Sequence, residues 1–89
     1  LYRESVTVVD MSWVAAPFEG RALVQCSAHG ATHEAVISCR ESGGEGGPHD
    51  ASIVAVDWVE PQRRIAPGQS VVVYDLDDRR VIGGGTAAR

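Results

Sequence analysis

Ala66-Pro67-Gly68-Gln69-Ser70-Val71-Val72-Val73-Tyr74-Asp75-Leu76-Asp77-Asp78 reads as a tight turn, a short strand and a second turn. Proline and glycine each suit one corner of a turn, so Ala66-Pro67-Gly68 reverses the chain and leads directly into the strand. The run from Gln69 to Tyr74 is β-branched and ends in an aromatic residue, which suits a pleated, half-buried surface. Asp75-Leu76-Asp77-Asp78 turns the chain again. Arg80-Val81-Ile82-Gly83-Gly84-Gly85-Thr86 follows as a last strand weakened by glycine.

The same pattern recurs upstream. Ser52 to Val59 alternates Val54, Val56 and Trp58 against Ile53, Ala55 and Asp57, and Glu60-Pro61 is expected to stop it. Arg21 to His29 and His33 to Cys39 read as a hairpin turning at Gly30-Ala31 in a II′ geometry. Val6 to Val14 is a further strand of high propensity, and Ala15-Ala16-Pro17-Phe18-Glu19-Gly20 interrupts it. No window holds a 3.6-residue period over three turns, so little or no helix is expected. About six short strands with regularly spaced turns predict an all-β fold, a small antiparallel barrel. Closure would remove the exposed edges of a valine-rich sheet, and the triple glycine marks a bulge or corner where a strand bends to close it.

The chain of 89 residues is short for more than one domain. Residues 1–89 are therefore read as a single β-barrel domain. Leu1 in place of an initiator Met suggests a segment of a longer protein. No apolar stretch approaches the ~20 residues of a membrane span, and no signal peptide precedes the first strand.

Cys26 and Cys39 are too few to staple a secreted mini-domain. Val24, Cys26 and Ala28 share one face, as do Ala35, Ile37 and Cys39. With both apolar faces inward, Cys26 is expected opposite Ala35 or Ile37 and not opposite Cys39. Two reduced core thiols, and hence a cytoplasmic location, are the expectation. Cys26-x2-His29-x3-His33-x5-Cys39 holds four residues of zinc-binding type. Strand alternation points Cys26 and His29 to opposite faces, however, and the paired knuckle spacing of zinc ribbons is missing. No metal is expected.

Other motifs fail on their chemistry. Ser42-Gly43-Gly44-Glu45-Gly46-Gly47 precedes a proline and not a helix, and Glu45 would repel a phosphate, so it is read as a flexible loop. Asp75-Leu76-Asp77-Asp78 lacks the alternating oxygen ligands and terminal Glu of a calcium loop. No nucleophile is fixed beside a base, and no catalytic residue is assigned. The net charge is −4, from 12 acidic and eight basic side chains, the latter all Arg. Nucleic-acid modules usually carry a basic excess, so any contact with RNA must be local or shared with other parts.

Glu60-Pro61-Gln62-Arg63-Arg64-Ile65-Ala66-Pro67-Gly68-Gln69 through Tyr74-Asp75, with Val81-Ile82-Gly83-Gly84-Gly85, resembles the C-terminal end of the tRNA-specific 2-thiouridylases. This family was formerly labelled tRNA (5-methylaminomethyl-2-thiouridylate)-methyltransferases. Val9-Asp10-Met11-Ser12-Trp13-Val14 is similar to its Val-x-Asp-x-x-Trp strand, so the resemblance spans nearly the whole chain apart from the Gly-rich loop.

The resemblance implies a terminal barrel that holds the anticodon arm of tRNA. The parent enzyme makes 2-thiouridine at the wobble position, using ATP and magnesium and a sulfur-donor protein. No cofactor is implied in the barrel, and the fragment is expected to be a monomer without activity of its own. Gln69 matches a position that contacts tRNA in the family, and its amide can donate to phosphate or read a base edge. Ser27-Ala28-His29-Gly30 aligns with a second contact segment; the family's Arg is absent there, which leaves His29 as a stacking or phosphate-bonding substitute. Arg63 recurs as a basic residue and is a third candidate contact. The competing expectation is a structural or protein-interaction barrel, of the kind appended to translation factors and aminomethyltransferases.

Overall fold

The computed structural model describes residues 2–26, 30–41 and 49–88, with Glu41, His49 and Asp50 described by backbone alone. Six strands follow one another as β1 (Tyr2–Trp13), β2 (Gly20–Gln25), β3 (His33–Glu41), β4 (His49–Arg63), β5 (Ser70–Tyr74) and β6 (Val81–Ala87). They close into a barrel in the order β1-β4-β3-β2-β5-β6, and β6 returns to β1. Every pairing is antiparallel. Among the described residues there is no helix, and hence none long and apolar enough to cross a membrane.

The inward faces are those that alternation marked. Ala22 and Val24 on β2, Ala35 and Ile37 on β3, Val54, Val56 and Trp58 on β4, and Val71 and Val73 on β5 are all buried. Removing a Val or Ile side chain from water contributes about 1.5–3 kcal/mol, so this row of mostly β-branched residues dominates the fold's stability. Cys39 packs half-buried beside the core, and Cys26 does so at the opposite end of the β2–β3 pair; both thiols are free.

On β1 the inward face changes phase, from Val8 to Met11. Val9 lies opposite Thr86 but Ser12 lies opposite Gly84, so Asp10 and Met11 together face Gly85. This is a β-bulge, and Asp10 takes its left-handed corner at φ 54°. Asp tolerates that conformation through its short polar side chain. Beyond the bulge, Trp13 is held by a 2.8 Å hydrogen bond from its indole Nε1–H to the carbonyl of Ala51 on β4. Opposite the bulge, an added Cβ on Gly85 would meet the Val8 side chain and the Val9 carbonyl, both at 2.7 Å. The triple glycine is thus the corner at which β6 comes close enough to β1 to close the barrel.

Three sequence expectations are corrected. Strand β4 does not stop at Glu60-Pro61 but continues to Arg63, and β1 begins at Tyr2 rather than Val6. Ser5 faces Asp57 while Arg3 faces Gln62, so Glu4 alone spans the stretch Trp58–Pro61. Pro61 falls in that irregular stretch, where a missing N–H breaks no ladder bond. The β2–β3 register also differs, with Val24 opposite His33 and Ala22 opposite Ala35. Cys26 therefore lies just past the end of β2, opposite neither Ala35 nor Ile37. A slip by an even number of residues, four or six from the two expected registers, keeps both apolar faces inward, which is why face parity alone did not reveal it.

Candidate nucleic-acid interface

The bowed end of β4, the segment that follows it, the start of β1 and the β2–β3 connection surround a cleft of about 650 Å³. Tyr2, His33, Trp58, Arg63, Arg64 and Gln69 supply most of its chemistry. Trp58 is the last inward residue of β4 and only 8% exposed, whereas Tyr2 is 66% exposed. His33 meets Trp58 edge to face, with centroids 6.4 Å apart and planes at 87°. That arrangement fixes the imidazole against a rigid indole.

Gln69 is positioned by its turn. Its backbone N–H donates to the Ala66 carbonyl at 3.2 Å, and Gly68 between them has φ 89°. Pro67 and Gly68 thus occupy the two corners of a type II turn, the second of which demands a left-handed residue. The Gln69 carbonyl accepts from the Ala87 N–H at 2.8 Å, and the Gly68 N–H donates to the Ala87 carbonyl at 2.9 Å. With its backbone clamped to β6, Gln69 presents an exposed side chain at the cleft wall.

A second brace lies on the opposite wall. The Gln25 side-chain N–H donates to the Gly30 carbonyl at 2.7 Å, and the Tyr74 hydroxyl donates to Gln25 Oε1 at 2.8 Å. The tyrosine that closes β5 thereby ties the β2–β3 connection to the barrel wall.

Of the three residues singled out in the sequence, Gln69 and Arg63 line this same cleft. His29 lies outside the described residues, while Cys26 and Gly30, which bracket its segment, both line the cleft. Sequence reasoning missed Tyr2, His33 and Arg64 and assigned Trp58 only to the core. The dipeptide Arg63-Arg64, at the end of β4 and just past it, was the available signal. His33 and Cys39 sit six residues apart on β3, about 20 Å at the rise of a strand, so they do not share a metal ion. Among the described residues, no cluster of three metal-binding side chains is present.

Among the described residues no carboxylate lines the cleft, although the chain has 12 acidic residues. Among the described residues, Arg63 and Arg64 have no ion-pair partner; the ion pairs there are Arg21–Glu34 and Arg80–Asp78, each at 3.0 Å. The described lining of this end is thus locally cationic and aromatic on a domain of net charge −4.

The cysteine in the cleft is a poor nucleophile, because burial pushes the Cys26 thiol up to about 11. A thiol that ionises near 9.0 when unfolded and near 11 when folded keeps its proton longer in the fold. Its contribution to stability is present in full below pH 9 and is lost as the pH rises through 11. The urea midpoint should therefore fall between pH 8 and pH 10.5, by less in Cys26→Ser than in the parent chain. An equal fall in both would remove Cys26 as the cause. At pH 8, alkylation of Cys26 by iodoacetamide should lag free cysteine by at least tenfold.

The described residues form a closed six-stranded antiparallel barrel with arginine and aromatic side chains around a cleft at one end. Residues 3–87 match the family described as the aminomethyltransferase β-barrel domain, and the chain belongs to that family. It is similar over its whole length, at 38% identity, to the tRNA-specific 2-thiouridylases MnmA of Roseiflexus sp. (strain RS-1) and Heliobacterium modesticaldum. A 42-residue stretch, 47% of the chain, is 50% identical to the tRNA-specific 2-thiouridylase MnmA 2 of Thermoanaerobacter sp. (strain X514). The chain spans 20% of the length of the first two relatives and 11% of the third.

Proposed function

We propose that this domain holds tRNA, at its anticodon arm, for an enzyme that makes 2-thiouridine at the wobble position. The observation that carries this reading is the cleft, without a carboxylate among its described lining, in which Gln69, Arg63 and Arg64 meet Tyr2, His33 and Trp58. An amide that both donates and accepts, guanidinium groups for phosphate, and aromatic rings for unstacked bases are the parts from which single-stranded RNA recognition is built. Gln69 and Arg63 are the contacts assigned from the described residues, and His29 belongs to the same assignment through its sequence segment. The similarity to tRNA-specific 2-thiouridylases supplies the substrate class.

In this reading the domain contributes position and no chemistry. Adenylation of the uridine with ATP and magnesium, and transfer of sulfur from a donor protein, take place in another part of a cytoplasmic parent enzyme. Attraction to the polyanion comes mainly from that other part, because a domain of net charge −4 supplies only a local patch.

In the full-length enzyme, Gln69→Ala should raise KM for tRNA about tenfold, the equivalent of about 1.4 kcal/mol, and leave kcat within twofold. Binding of an anticodon stem-loop should weaken in parallel. Normal thiolation with unchanged affinity would remove Gln69 as a contact and favour a protein-interaction barrel, the reading that the acidic net charge suits.

A further inference from the structure

Beside the main cleft lies a second hollow of about 190 Å³, formed where the first residues of β1 pass the segment that follows β4. Arg3 and Ser5 enter it from β1, and Arg63, Arg64 and Pro67 from the other side. We propose that this hollow seats a backbone phosphate of the bound RNA, with Arg3 and Arg64 as its principal ligands; the assignment rests on the RNA-holding reading above.

Three of the chain's eight arginines line one small depression. Like charges brought together repel unless an anion lies between them. Glu4, Asp57 and Glu60, the acids nearest along β1 and β4, do not line the hollow. Among the described residues, none of the three guanidinium groups is within ion-pair distance of a carboxylate. All three arginines are solvent-exposed and so open to an external anion. Planar guanidinium groups match the oxygens of a phosphate, and the Ser5 hydroxyl adds a neutral donor.

The walls are fixed rather than adaptable. The Ala88 N–H donates to the Thr7 carbonyl at 2.9 Å, and the turn carrying Pro67 is bonded to Ala87. Trp58, Arg63, Arg64 and Ile65 belong to both the hollow and the main cleft. A nucleotide whose base enters the cleft against Trp58 and His33 therefore carries its phosphate across this shared wall into the hollow. The two depressions act as one site, with base and phosphate in adjoining compartments.

The test is the salt dependence of tRNA binding by the full-length enzyme carrying Arg3→Gln and Arg64→Gln together. Losing one phosphate contact should lower affinity about tenfold near 0.1 M salt and reduce the slope of log K against log salt by about 0.7–0.9. The Arg3→Lys, Arg64→Lys pair, which keeps the charges, should retain most of the slope. A control with equal charge loss elsewhere, Arg21→Gln with Arg80→Gln, should change the slope by less than half as much. An unchanged slope in the first variant, with melting temperature preserved, overturns the phosphate seat. If Gln69→Ala still weakens binding in that case, the RNA-holding reading stands and only the seat is lost. If neither variant affects tRNA, both are lost. Inorganic phosphate that raises the melting temperature of the parent enzyme but not of the first variant, with tRNA slopes equal, would assign the hollow to a free anion and overturn the backbone assignment.

Discussion

Ile37→Ala lowers the stability of the barrel by about 3–4 kcal/mol and its melting temperature by about 15–25 °C. Ile37 is 1% exposed and is the largest of the fully buried side chains. It faces Gly20 on β2 and Val56 on β4, so its neighbours come from both adjoining strands. Truncation to alanine removes three carbons from the middle of a closed barrel. Strands bonded on both edges cannot move in to fill the space, so the cavity term adds to the lost transfer energy. A domain of this size has roughly 4–13 kcal/mol in total, and one substitution consumes much of it. Ile37→Val, which deletes a single methyl, should cost only about 0.5–1.5 kcal/mol. Thermal and urea unfolding of the three chains checks both values. A loss below 1 kcal/mol for Ile37→Ala would mean that the barrel is not packed around this residue.

Gly85→Ala has the second largest expected effect, about 2–3 kcal/mol of destabilisation. The new methyl would stand 2.7 Å from Val8 Cγ1 and 2.7 Å from the Val9 carbonyl oxygen, and 3.2 Å from the Met11 Cα. Two of these three atoms are backbone, so no rotamer change relieves the clash. The β1 bulge or the β6 ladder must shift, at the usual cost of overpacking. Alanine gains up to about 1 kcal/mol over glycine through the unfolded chain, which offsets part of this. Gly84→Ala is the internal comparison. Its methyl would meet only the Val71 carbonyl, at 3.2 Å, and a small adjustment accommodates it. Equal melting temperatures for the two variants would sink the close-approach account of the triple glycine.

Much of this architecture was legible because a period of two residues records which side of a strand is wet. Val54, Val56 and Trp58, or Val71 and Val73, announce a buried face regardless of what lies opposite. Parity does not record how far one strand has slid along another, so the β2–β3 register escaped, and Cys26 with it. Nor does a proline rule report that a ladder is already interrupted, which is how β4 runs through Pro61 to Arg63. The Asp10 bulge was hidden because its mark in the sequence is a single break of phase between Val8 and Met11.

The site was partly legible for a different reason. The Pro67-Gly68-Gln69 turn is local chemistry, and Gln69 follows from it. Tyr2, His33 and Arg3 come from remote parts of the chain and converge only when the barrel closes. No local pattern places them beside Arg64.

The pairing of β6 with β1 bears on synthesis at the ribosome. The strand made first finds its second neighbour in the strand made last, so the cylinder cannot be sealed until β6 has emerged from the exit tunnel. Until then β1 and β5 each present an open, valine-containing edge to the crowded cell, and pairing between nascent chains competes with completion. The glycines of β6 are thus the final fastening of a sheet that has to wait for them.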